Sequence, residues 1–160
     1  MALGDNTLRS AAGNSQRGRN PYMVETTLNW ATALSDKGSA LAAADVVPVI
    51  AVPKGTMILN AGIEVDTATD GSTFTVDLGT GVDPDVFVDG FDATSAAAVV
   101  AQNPAAYQPV MAVADDNIDV TIATLSGGAV TSGKFRVWAV MMDCTDMGDT
   151  AANEVARDNA

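Results

Sequence analysis

KFRVWAVMMD, residues 134–143, is the stretch on which the fold turns. Phe135, Val137, Ala139 and Met141 fall on one side of a two-residue period, and Lys134, Arg136, Trp138, Val140 and Met142 fall on the other. That period is the signature of a strand with one buried face. The second side is charged where it begins and apolar where it ends, so the strand runs from solvent into a region covered on both faces, by a loop or by another subunit. Trp138, Val140 and Met142 are accordingly the candidate oligomer-interface residues.

The same rhythm recurs upstream. Ile118, Val120 and Ile122 alternate with Asp119, Thr121 and Ala123, and Tyr107–Val113 is predicted to pair with them through a turn at Asp115, Asp116 and Asn117. Phe74, Val76 and Leu78 alternate with Thr73, Thr75 and Asp77. The Asp70–Gly71 turn before them predicts a hairpin with the preceding strand, whose inner face is read as Met57, Leu59, Ala61, Ile63 and Val65. Val46–Val52 is apolar on both sides, but Pro48 has no N–H for a ladder, which predicts a sheet edge or a bulge. Tyr22, Val24, Thr26, Leu28 and Trp30 mark a first strand, and residues 36–45 a loop with at most one helical turn. Val86–Val88 and Ala96–Ala101 are short apolar runs, strands or a strand and a helical turn, separated by DGFDATS. Short strands with turns roughly every ten residues and no strand–helix alternation predict an all-β, two-sheet antiparallel β-sandwich. It occupies 22–143, between an extended N-terminal arm at 1–21 and an acidic tail at 144–160.

Composition narrows the function. The 160 residues are 48% hydrophobic and only 18% charged, with mean hydropathy +0.17, the balance of a chain that folds. Net charge is −12, unevenly spread. Residues 1–20 hold Arg9, Arg17 and Arg19 against Asp5, a balance of +2, which leaves −14 for the rest. A body this acidic repels phosphate backbones, so no nucleic acid partner is expected. The three arginines are the candidate partner-binding residues of the arm, able to fork onto carboxylates of an acidic neighbour. No signal-peptide pattern and no long apolar run occurs, so neither secretion nor membrane insertion is expected.

Chemistry finds little to work with. There is no histidine, so hydrolytic triads that use one and Cys/His zinc sites are excluded, and the lone Cys144 fits a buried small hydrophobe. The densest constellation is Asp77, Gly79, Gly81, Asp83, Asp85 and Asp89. Carboxylates on a glycine-containing loop could serve calcium, or could simply form Asx turns; counted from Asp83, the EF-hand glycine and glutamate positions hold Val88 and Thr94. No aromatic cluster accompanies the acids to line a sugar site. Trp30 and Trp138 could be binding hot spots, with core packing the commoner role for tryptophans on alternating strands. No cofactor, metal site or enzymatic activity is predicted.

The stretch ALAAADVVPVIAVPKGTMILNAGIEVDTATDGSTFTVDLGTGVDPDVFVDGFDA (residues 40–93) and the closing SGKFRVWAVMMD (132–143) resemble small virion structural proteins of tailed bacteriophages, the capsid decoration or cement proteins, over roughly Val24 to Asp143. The resemblance implies a jelly-roll-like sandwich, a homotrimer, a seat on the capsid surface, and the major capsid protein as partner. It also implies synthesis in the bacterial host's cytoplasm. Tail or fibre parts share similar folds, and an adhesion module binding calcium or carbohydrate is a further alternative.

Overall fold

Nine strands in two sheets and one short helix make up the described part of the computed structural model, residues 20–101 and 109–144. The arm with Arg9, Arg17 and Arg19, the start of the expected Tyr107–Val113 strand and the tail beyond Cys144 lie outside the described residues. The strands are β1 (Tyr22–Asn29), β2 (Val46–Val52), β3 (Thr56–Thr67), β4 (Thr73–Thr80), β5 (Val88–Asp92), β6 (Val99–Ala101), β7 (Val110–Met111), β8 (Asp116–Ser126) and β9 (Lys134–Asp143). The helix is α1 (Trp30–Lys37). One sheet, A, runs β1-β9-β3-β6 with β7 also on β3; the other, B, runs β2-β8-β4-β5, all pairs antiparallel. Counting β6 and β7 as one interrupted strand gives sheet orders 1-8-3-6 and 2-7-4-5, the doubly wound Greek key of a jelly roll.

This topology corrects two expected pairings. β3 and β4 flank the Asp70–Gly71 turn but lie in different sheets, so the turn is an arch over the sandwich end and not a hairpin. β7 pairs with β3 and β8 with β2 and β4, so the residues before and after Asp115–Asn117 also part to opposite sheets. Turn chemistry reverses the chain equally well in either setting. Asp70 secures the arch by accepting hydrogen bonds from Thr131 N (2.8 Å), Ser132 N (3.0 Å) and Thr131 Oγ1, tying it to the β8–β9 loop.

β1 ends one residue earlier than its alternation suggests. Asn29 caps α1 by accepting from Ala31 N at 3.0 Å, and Gly38 closes the helix at φ 69°, donating to the carbonyls of Leu34 and Ser35. Trp30 opens the helix and is fully buried among Phe74 and Phe135, edge-on to both at 5.0 and 5.4 Å between ring centroids. Such pairs add about 0.5–1.5 kcal/mol each beyond burial. Apart from Phe87, the wholly shielded remainder of the core is aliphatic and includes Ile63, Val65, Val76, Leu78, Ile118, Val120, Ile122, Val137 and Ala139. In β3 a bulge between Ile58 and Asn60 inverts the expected faces of its first half: Ile58 is inside, whereas Met57 and Leu59 are not fully buried. Pro48 lies on the edge strand β2 beside a register shift, so both readings of it hold. β5 covers DGFD, which the sequence suggested as a spacer. Among the described residues no helix is long and apolar enough to cross a membrane.

Candidate assembly surface

The outer face of sheet A divides into a charged half and an apolar half. Arg136 marks the charged half, its Nη2 2.5 Å from Glu64 Oε2 and its Nη1 3.9 Å from Glu25 Oε2. Exposed pairs of this kind contribute at most about 1 kcal/mol, so they orient the surface more than they stabilise it. Two residues further along β9 the character changes. Trp138, Val140 and Met142 all point outward and are half-buried, and their cross-strand neighbours extend the surface they begin.

Met142 lies opposite Met57, and Met57 opposite Met111, so three thioethers form a row across β9, β3 and β7. Directly opposed side chains on one sheet face are about 4.5–5.5 Å apart at Cβ, close enough to pack. Met23 pairs with Val140 on the other flank and is 60% exposed. Unbranched and polarisable, methionine suits a surface that must conform to another protein. Trp138 lies flat over the Gly62 backbone: a Cβ at Gly62 would sit 2.2 Å from Trp138 Cζ2, so only glycine fits beneath the indole. Beside Val140, Asn60 Oδ1 is buried without a hydrogen-bond donor. Such an atom costs about 1–3 kcal/mol until a donor reaches it.

Round the corner from the methionine row, the end of the sandwich opens into a cavity of about 420 Å³ lined by Val52, Ile58, Val82, Val110, Met111 and Val113, with Asp115 and Asp116 on its rim. Hydrogen bonds fix its walls: Lys54 N to Asp115 Oδ1 at 2.9 Å, Gly81 N to Asp116 Oδ1 at 3.3 Å, and Ala112 N to Thr56 O at 2.9 Å. Val82 and Val113 stand at its lip, 87% and 78% exposed.

The acidic loop after β4 folds back over the outer face of sheet B. A Cβ at Gly79 would lie 2.2 Å from the Asp83 carbonyl oxygen, and Thr80 Oγ1 accepts from Val82 N and Asp83 N. Asp77 Oδ1 accepts from Gly90 N at 2.7 Å, while burial, followed by the nearby Asp89 and Asp85 charges, raises its pKa. The pKa of Asp83 is raised, chiefly by the neighbouring Asp85 carboxyl. Asp119 is raised by burial and then by Asp116, and its Oδ1 has no hydrogen-bond partner. Among the described residues no three or more carboxylate or thiolate groups gather as metal ligands. Asp77, on β4, accepts from Gly90 N on β5, and Asp116, outside the loop, accepts from Gly81 N and Asn117 N.

Of the residues singled out from sequence, the fold aligns Trp138, Val140 and Met142 on one face; Trp30 is core. Met57, Met111, Met23 and the valine lip escape a strand-by-strand reading because they come from different strands.

Two antiparallel sheets in this strand order place the chain among the all-β sandwiches of jelly-roll topology. No family model matches the chain and no curated relative does. Solved structures do share its fold. A chain of the cyanophage Pam1 capsid asymmetric unit superposes with TM-score 0.62 at 16% identity, covering 89% of this chain and 98% of its own length. A chain in the capsid of Ralstonia phage GP4 gives TM-score 0.53 at 18% identity, covering 86% and 90%.

Proposed function

We propose that this protein is a non-enzymatic structural component of a phage virion, seated on the capsid exterior, where homotrimers clamp neighbouring major capsid protein subunits. The observation that carries the reading is the near end-to-end match of fold with a chain of the Pam1 capsid. Three features of the chain support it. The absence of histidine removes the commonest general base. The methionine row, Trp138 and the unpaired Asn60 Oδ1 form a surface that gains from being covered. The acidic body disfavours contact with packaged nucleic acid, in keeping with an exterior position.

Clamping needs no single strong contact. Three linked copies that each bind weakly raise one another's effective concentration, so the trimer holds where a monomer would dissociate. Trp138, Val140 and Met142 are assigned to the subunit interface in this reading, and Arg9, Arg17 and Arg19 to contact with the shell or with a neighbouring copy.

The test is addition of the purified protein to undecorated heads of its phage, followed by electron cryomicroscopy. Binding at hundreds of threefold-related positions is expected; density confined to tails, or none on heads, overturns the proposal. Light scattering should give three times the 16.3 kDa chain mass. Met142→Glu should abolish the trimer while leaving the far-UV circular dichroism of a folded monomer, with Tm falling only by the stabilisation that association supplied.

A further inference from the structure

The end cavity has an apolar interior, an acidic rim and no occupant among the described residues. We infer that it receives the N-terminal arm of a second copy of this chain, with Leu8 entering the cavity and Arg9 meeting Asp115 and Asp116. This deepens the assembly reading above and needs only that copies meet.

Charge selects the arm. Each body carries −14 and repels its neighbours, whereas the first 20 residues carry +2 and hold three of the chain's eight cationic side chains. The rim offers Asp115 and Asp116, whose Oδ1 atoms already accept backbone N–H groups while each second oxygen remains for an incoming guanidinium. Lys54, whose backbone N–H donates to Asp115 Oδ1, sets a modest limit on the attraction. Within the arm, Leu8–Arg9 places a large apolar side chain next to a cation, matching an apolar hole beside a carboxylate rim.

Length brings a neighbour's arm within reach. Tyr22 pairs with Met141, and Asp143 with Thr56, so the arm leaves from the cavity end of the sandwich. From β1 to β7 is three strand spacings, roughly 15 Å, which about five extended residues cross. The 19 residues before Asn20 reach about 65 Å when extended, enough to arrive at another body.

The experiment uses full-length chains. Leu8→Cys and Val113→Cys are made as separate proteins, mixed under mild oxidation and examined by mass spectrometry, with each single variant alone as the control for the buried Cys144. A Leu8→Cys/Val113→Cys cross-link between chains is expected on mixing. Adding Asp115→Asn and Asp116→Asn to the Val113→Cys partner should lower its yield about two- to fivefold. A double variant that closes only on itself, with no product on mixing, overturns the inference in favour of the chain's own arm; no cross-link in either format overturns it outright. Occupancy of wild-type protein on heads is read separately. Bare heads with cross-linked copies defeat the capsid reading alone, and decorated heads with no cross-link defeat the arm inference alone.

Discussion

Replacing Gly62 by alanine puts a single methyl group where the Trp138 ring lies, and two opposing magnitudes decide the outcome. The new Cβ would fall 2.2 Å from Cζ2 and 2.7 Å from Cε2, both part of a rigid ring that can escape only by swinging off the sheet. Overpacking of this kind costs about 1–3 kcal/mol. Against it, alanine in a strand interior is favoured over glycine by roughly 0.5–1 kcal/mol, because the unfolded chain loses freedom. The net expectation is destabilisation by about 1–2 kcal/mol, a drop in Tm of about 2–8 °C for a chain of this size. With Trp138 first changed to alanine the clash is gone, and the same Gly62→Ala step should stabilise by roughly 0.5–1 kcal/mol. The double-mutant cycle therefore predicts a coupling near 2 kcal/mol with a change of sign between backgrounds. Urea unfolding followed by far-UV circular dichroism measures it without depending on the altered tryptophan. A Gly62→Ala protein as stable as the wild type in both backgrounds would refute the stacking of Trp138 on this strand.

Phe135→Ala removes the ring shared by Trp30 and Phe74 and should cost about 3–5 kcal/mol, read as a lowered urea midpoint together with loss of near-UV signal from Trp30. Asp70 is held down to a pKa of about 2 by its bonds to Thr131 and Ser132, below its unfolded 3.8. Its stabilising effect is thus full above about pH 4 and lost as pH falls through 2, so Asp70→Asn should lower Tm at pH 7, with the gap from wild type closing near pH 2. Asp119 has the opposite sign. Burial raises its pKa above 3.8, so ionising it costs stability as pH climbs past that value, and Asp119→Asn should raise Tm at pH 7 while changing little at pH 3. Equal Tm shifts at the two pH values would show that burial of the charge is not what matters at this position.

The parts of this fold that were legible from sequence are those where one strand is read against itself. β9 has the expected bounds and faces, and the inward sets of β4 and β8 are the ones their alternation names. Reading fails where another part of the chain decides. The bulge beside Leu59 shifts the register of β3 against β9, which nothing in TMILNAG announces. Trp30 continues the period of β1 yet begins a helix; Asn29 and Gly38 were the cap signals, eight residues of helix apart, that could have exposed it. The Asp70–Gly71 arch has the chemistry of a hairpin turn because local backbone geometry carries no information about which sheet the next strand joins. The same limit governs the candidate surface. Trp138, Val140 and Met142 lie on one strand and could be grouped by eye, whereas the methionine row and the end cavity exist only after β3, β7, β8 and β9 have been brought to one end.

The antiparallel pairing of β1 with β9 also sets how the molecule yields under load. Tyr22 faces Met141 at the edge of sheet A, and the rungs continue through Val24–Ala139 to Asn29–Lys134. Tension on the arm, if directed away from that edge, falls first on the Tyr22–Met141 rung and then on each successor in turn, in the manner of a zip. Because α1 is docked by Trp30 N on the Gly133 carbonyl and by its indole in the aromatic core, peeling halts where β1 ends. Peeled from the edge in this order, β1 gives up eight residues while the other strands of the sandwich stay paired.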